Sequence, residues 1–333
     1  MNKKILLIGG AGFIGLRIAK FLCEKRSGNQ ITIIDNFFSG KEDSDLTGLR
    51  EKYGIKVIQA DCTKPTEFDQ LEKDYDHVYM LASVVGVEYT SKMPNEIIRI
   101  NTALIFNTLE WLKNTKCKKV LFTSTSECYA GAIEAFNYTI PTPEEVPLCI
   151  EDIRHPRFTY AVTKMLGESG FMNYSKVFGF DCTIVRYHNI YGERMGFKHV
   201  LPQVTQRFFE NENPFKIYGA DQTRSFCYVD DAVEGTVLSM ETDAANGEII
   251  HIGVQDEEIL IEELVKYIGE LCNYKGTYEL VKAPDGSVSR RCPDISKAKK
   301  LLGFNPKVDY KTGVKLTVEW YLQYLNSGKK AYE

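Results

Sequence analysis

The sequence contains no apolar run approaching the ~18 residues that span a bilayer. Its first residues pass straight into a strand-like segment, so neither a membrane span nor a secretory leader is expected, and the chain is expected in the cytoplasm. Paired cysteines are missing too. The nine at 23, 62, 117, 128, 149, 182, 227, 272 and 292 form no Cys-x-x-Cys pair, and several interrupt apolar strand patterns, so they read as reduced packing residues. The five histidines are dispersed and no metal is expected. A net charge of −4 supplies no basic field, which argues against nucleic acid as a partner and leaves the arginines as local ligands for anions. Repeats, low-complexity tracts and charge blocks are absent, which argues against disorder and scaffolding. What is present is 333 residues with 44% hydrophobic content, enough to bury a large core in one main domain with a smaller lobe.

The first apolar run, Lys3-Lys4-Ile5-Leu6-Leu7-Ile8-Gly9, leads into Gly9-Gly10-Ala11-Gly12-Phe13-Ile14-Gly15 and then a helical pattern over 16–22. This reads as strand, tight turn, helix. Glycines permit the turn and let backbone N–H groups approach a pyrophosphate at the positive end of the helix. A second apolar run, Ile31-Thr32-Ile33-Ile34, delivers Asp35 twenty residues after Gly15, where a carboxylate can accept hydrogen bonds from an adenosine ribose. The same charge would repel a 2′-phosphate, so NAD is expected rather than NADP.

Tyr160 and Lys164 stand four residues apart in Phe158-Thr159-Tyr160-Ala161-Val162-Thr163-Lys164. On a helix both fall on one face, so the ammonium is expected to lie beside the phenol and, with a positive nicotinamide ring, to lower its pKa by a few units from ~10. Strand patterns at 55–59, 78–81, 120–123 and 183–187 alternate with helical patterns that include 95–112 and 160–177. The alternation predicts an α/β fold, a doubly wound parallel sheet. Residues 1–187 are expected to form the NAD-binding domain, rejoined by about 228–255 through a helix at 229–240 and a strand at 248–252. Residues 188–227 and 256–333 are expected to form a smaller α/β substrate-binding lobe.

The Gly-x-x-Gly-x-x-Gly spacing and the Tyr-x-x-x-Lys pair resemble the extended short-chain dehydrogenase/reductase family, the nucleotide-sugar epimerases and dehydratases. Further pieces follow in that family's order: Asp61 after a strand, Leu81-Ala82-Ser83, Asn101, Thr123-Ser124-Thr125-Ser126-Glu127-Cys128-Tyr129, Arg186-Tyr187-His188-Asn189-Ile190-Tyr191-Gly192, Gln222-Thr223-Arg224, and Arg291-Cys292-Pro293-Asp294. The resemblance implies a Rossmann domain holding NAD through Gly9, Gly12, Phe13, Ile14, Gly15, Asp35, Asn36, Asp61, Cys62, Leu81, Ala82, Asn101, Tyr160, Lys164 and His188. It implies a nucleotide-diphosphate sugar as substrate, contacted by Ser126, Asn189, Lys198, Arg224 and Arg291, with Arg290 an adjacent competitor for the last role. A homodimer through the helices at 95–112 and 160–177 is implied as well.

The resemblance also implies oxidation at C4 of the sugar by Thr125, Tyr160 and Lys164. Glu127 is the discriminating position, since C4 epimerases of this family usually carry a small or neutral residue there, and the resemblance implies a base for the C5 proton. The sugar 4,6-dehydratase or epimerase reading therefore leads. A net 4-dehydrogenase is the alternative, and a UDP-glucuronate-type decarboxylase ranks lower because the loop 195–202 lacks features associated with it. A noncatalytic nucleotide sensor ranks last. Departures from the family pattern are Tyr129-Ala130 for Tyr-Gly, Gly192-Glu193-Arg194 for Gly-Pro-Arg, and Met80-Leu81-Ala82-Ser83 for His-x-Ala-Ala.

Overall fold

The structure, a computed structural model, describes residues 2–284 and 286–329; the last four residues of the expected lobe lie outside the described residues. Six strands alternate with helices through the first half: β1 (Lys4–Ile8), β2 (Gln30–Asp35), β3 (Lys56–Gln59), β4 (His77–Met80), β5 (Lys119–Thr125) and β6 (Asp181–Tyr187). A seventh strand, Ile249–Ile252, lies beside β6, and the order across the sheet is Ile249–Ile252, β6, β5, β4, β1, β2, β3. Every pairing is parallel. The reversal of strand order beside β1 opens a crevice at the carboxyl ends of β1 and β4, where doubly wound sheets take ligands.

Burial explains the strand sequences. β1 and β4 are covered on both faces, so they read as continuous apolar runs rather than alternating ones. The helices of this part of the chain are α1 (Phe13–Lys25), α2 (Ser44–Tyr53), α3 (Val87–Lys92), α4 (Pro94–Leu112), α5 (Ala130–Phe136), α6 (Thr159–Phe178), α7 (Val200–Phe209) and α8 (Val229–Glu241). α4 and α6 pack together closely enough that a Cβ at Gly170 would meet Leu109 at 2.9 Å. The strand and helix bounds differ from the sequence expectation by one to three residues, mostly at the ends, where periodicity carries least signal.

Beyond β6 the chain forms short strands at Ile190–Tyr191, Phe215–Tyr218, Thr223–Ser225 and Cys227–Tyr228, then returns through α8 to the seventh strand. Thr223–Ser225 pairs with Glu258–Leu260 and with Arg290–Arg291, so three segments far apart in sequence meet at one edge of the crevice. That small sheet places Arg224 and Arg291 side by side.

Candidate active site

The glycine turn is set by close approaches. A Cβ on Gly9, whose φ is +82°, would sit 2.6 Å from the Ala82 nitrogen, and one on Gly15 would sit 2.6 Å from the Gly9 carbonyl oxygen. At Gly12 the nearest atom would be 3.5 Å away, so internal packing does not require a glycine there. Gly12 instead faces a cavity of about 640 Å³, and the first turn of α1 carries neither a side-chain cap nor an acidic residue. Those N–H groups suit a pyrophosphate. Asp35 closes the far end. Its carboxylate accepts from the Ala11 and Phe37 N–H groups at 2.9 and 2.8 Å, leaving lone pairs for two ribose hydroxyls, and burial raises its pKa against those bonds and the nearby Arg194 charge.

Most of the expected dinucleotide contacts line this one cavity: Gly9, Gly12, Phe13, Ile14, Gly15, Asp35, Asn36, Asp61, Cys62, Leu81, Ala82 and Tyr160. Asp61 is oriented by the Thr63 hydroxyl and N–H, and Asn36 accepts from the Phe38 N–H. Three expected contacts lie elsewhere: Lys164 behind Tyr160, and Asn101 and His188. Asn101 is buried and clamps the loop after β4, accepting from the Val84 N–H at 2.8 Å while donating to the Val84 carbonyl and the Thr163 hydroxyl. It shapes the cavity wall without reaching it. His188 is fully buried and its Nε2 meets the Tyr129 hydroxyl at 2.8 Å, with the His251 ring 4.7 Å away. Its ring has turned under the sheet edge, into a cluster where burial keeps both imidazoles neutral.

Thr125, Ser126, Glu127, Tyr160, Asn189, Lys198 and Arg291 line the substrate half of the same cavity. Thr125 and Glu127 stand where β5 ends and a 3₁₀ turn begins, with the Thr125 hydroxyl accepting from the Glu127 N–H at 3.3 Å. Lys164 is buried behind Tyr160. Its ammonium donates to the Thr123 carbonyl at 2.7 Å and lies 5.7 Å from the centre of the Tyr160 ring. Burial lowers the Lys164 pKa to about 8 and raises that of the Tyr160 phenol, so of the two charges expected to acidify the tyrosine together, the ammonium by itself does not. Desolvation outweighs an ammonium held by a carbonyl, so acidifying the phenol falls to the cofactor's positive ring when it is bound.

Glu127 departs from expectation more sharply. Burial alone would push its carboxyl up, but Arg291 at 2.7 Å, Arg157 at 3.7 Å and the more distant Arg224 outweigh burial and hold it at about 2. With these arginines as partners the carboxylate is held in its ionised form. Arg224 does not line the cavity. Carbonyls of Thr223, Val288 and Ser289 hold its guanidinium behind Arg291, and Arg290 turns away to Glu258, so of the two neighbours Arg291 is the one that lines the cavity.

Arg157 escaped the sequence reading. It lies one helical turn before Tyr160, in the short 3₁₀ segment Pro156–Phe158, so the signal was an arginine at i−3 to the candidate base. Its Nε, together with Nε and Nη2 of Arg291, is buried with no hydrogen-bond partner among the described residues. Such donors are costly to leave unmet, so this corner is built for an anion.

Comparison with known proteins agrees with this geometry. Residues 5–253 match the model of the NAD dependent epimerase/dehydratase family. The chain is 34% identical over 98% of its length to the whole of a UDP-N-acetyl-α-D-glucosaminuronate decarboxylase from Bacillus cytotoxicus. It is 30% identical to a UDP-glucuronate 4-epimerase from Thermodesulfobacterium geofontis, over 95% of each chain. Among solved structures, a UDP-glucuronic acid 4-epimerase from Bacillus cereus in complex with UDP-glucuronic acid and NAD superposes with a TM-score of 0.81 at 28% identity, covering 96% of this chain and 99% of that one. Among the described residues no helix is long and apolar enough to cross a membrane. The chain belongs to the NAD dependent epimerase/dehydratase family and is an NAD-dependent enzyme of it.

Proposed function

We propose that the protein oxidises C4 of a UDP-hexuronate and decarboxylates the resulting 4-keto sugar. The observation that carries this reading is the arginine corner, where Arg157 and Arg291 present unmet donors beside the ionised Glu127 in the cavity that holds Thr125 and Tyr160. NAD, when bound, would accept the C4 hydride and return it to C4 once carbon dioxide has left, so that the net change is loss of carbon dioxide alone. Thr125 hydrogen-bonds the 4-oxygen, Tyr160 takes its proton, and Lys164 sits behind to stabilise the phenolate. Arg157 and Arg291 hold the C6 carboxylate through planar, two-pronged donors. With C4 a ketone, the substrate is a β-keto acid. The C5–C6 bond breaks, its electron pair passes to the C4 oxygen as an enolate, carbon dioxide leaves, and C5 takes up a proton.

Glu127 is suited to this step by its charge rather than by its basicity, because an ionised neighbour destabilises a bound carboxylate relative to neutral carbon dioxide. This ordering places decarboxylation above 4,6-dehydration, which needs a competent C5 base. A second reading, 4-epimerisation of the same UDP-uronate, is favoured by the likeness to UDP-glucuronate 4-epimerases. Incubation with UDP-glucuronate and UDP-N-acetylglucosaminuronate separates them: loss of one carbon dioxide from the product mass supports decarboxylation, and an unchanged mass with an inverted C4 supports epimerisation. Turnover of neutral UDP-hexoses alone would overturn both.

Arg157→Met is expected to raise KM for the uronate roughly 10-fold or more, the scale of one charge-assisted hydrogen bond, and to leave NAD affinity unchanged. Unaltered discrimination between UDP-glucuronate and UDP-glucose in that variant would remove Arg157 from the carboxylate site. We further propose a homodimer through α4 and α6, which present Ile98, Phe106, Val162 and Leu166 at 47, 43, 37 and 37% exposure. Sedimentation that finds only a monomer at micromolar concentration would exclude it.

A further inference from the structure

The cofactor cavity is walled on one side by Asn36, Phe38 and Ser39, which follow β2, and on the other by residues 194–200 of the substrate lobe. The first wall lies against the glycine turn: a Cβ on Gly40 would come within 2.9 Å of the Ala11 backbone. Arg194 of the second wall reaches across to it, and its neighbour Glu193 reaches α1. Arg194 donates through Nε and Nη2 to Asp43 at 2.8 and 2.6 Å, with only 9% of its side chain exposed. Asp43 uses its other carboxylate oxygen to cap α2, so the arginine grips the end of the segment that covers the adenosine pocket. Glu193 turns the opposite way and meets Arg17 of α1 at 2.7 Å, where the Tyr228 hydroxyl donates to both of its oxygens at 2.9 Å.

The local backbone is shaped for this pair. Gly192 has φ +153° and packs so tightly that a Cβ would meet Val229 at 2.5 Å, and Arg194 itself adopts φ +67°. Successive side chains are thereby sent to α1 and to α2. Glu193 stands where the pattern named in the sequence analysis has proline, a residue that could not make this contact with Arg17.

We propose that Glu193 and Arg194 form a two-pronged latch across the cofactor cavity, retaining the reduced dinucleotide while the sugar is a ketone. Neither residue is assigned to the chemistry; both are positioning residues that act by holding α1, α2 and the 36–43 segment against the substrate lobe. The need for retention rests on the C4 redox cycle proposed above, but the binding consequence does not. Opening either prong lets the dinucleotide leave without any change at Thr125, Tyr160 or Lys164.

The test is the dissociation rate of NADH, followed by its fluorescence after mixing the loaded protein with excess NAD. Asp43→Asn keeps the helix-capping oxygen and removes the charge, and Arg17→Gln removes the second prong. Each is expected to release NADH roughly 10-fold faster, the scale of a lost charge-assisted pair, and the double variant faster still. Release within twofold of the unmodified protein in both variants overturns the latch. If a variant is poorly folded by circular dichroism, the swapped pair Asp43→Arg with Arg194→Asp decides the question, since restored slow release supports the latch and fast release from a folded swap refutes it. During turnover the double variant is expected to shed NADH together with 4-keto sugar nucleotide. Absence of any C4 oxidation by the unmodified protein would defeat the functional reading while leaving the dissociation result to judge the latch.

Discussion

Tyr160→Phe is expected to lower turnover at least ~10²-fold, the usual scale for removing a positioned proton-transfer group, while NAD still binds. The phenol lies in the cavity directly before the buried Lys164, and the ring itself is retained in the variant. Cofactor contacts at the glycine turn and Asp35 lie at the other end of the cavity and are untouched. Turnover within a few-fold of the unmodified enzyme, measured by product mass on a UDP-uronate, would refute the assignment. Because burial raises this phenol's pKa, a folded protein free of cofactor should show no tyrosinate absorbance at neutral pH; deprotonation is expected only in the complex.

Glu168→Gln is expected to cost stability on a comparable scale of importance, about 3–5 kcal/mol, as for any buried ion pair stripped of one partner. Glu168 and Arg186 have side chains only 5% and 2% exposed and share two hydrogen bonds of 2.8 Å. Ser124 donates to the same carboxylate at 2.6 Å, and Arg186 also reaches the Glu144 carbonyl. This network fixes the end of β5, from which Thr125 and Glu127 project. The variant is nearly isosteric, so the loss is of charge, not volume. A urea midpoint unchanged by Glu168→Gln would contradict the account, and adding Arg186→Met should recover part of the loss by removing the orphaned guanidinium.

What was legible in the sequence follows from distance along the chain. The glycine turn, Asp35 and Tyr160 belong to local patterns and line one cavity, with Lys164 buried directly behind Tyr160. The strands of the sheet were readable because both of its faces are covered, which leaves unbroken apolar runs. Asn101 and His188 were misplaced, since order along the sequence says which residues come near the crevice but not which way a side chain turns. Arg157, and how it combines with Arg291 around Glu127, was missed for a different reason. Arg157, Arg224 and Arg291 come from three separate segments that meet only through the small sheet at Thr223–Ser225 and the turn before α6. Without them Glu127 reads as a free base; with them it is an anion held near pKa 2.

The seventh strand carries a consequence for how this chain is made. Ile249–Ile252 pairs with β6 along its length, and the His251 N–H is bound by the Glu144 carboxylate at 2.8 Å. Until roughly three quarters of the polypeptide has left the ribosome, β6 is an uncovered edge with bare N–H and C=O groups, open to pairing with another nascent chain. The dinucleotide domain is therefore not a module that can be cut free at residue 187. Its last structural piece is encoded after the first part of the substrate lobe, so the two regions must be synthesised, and mature, as one unit.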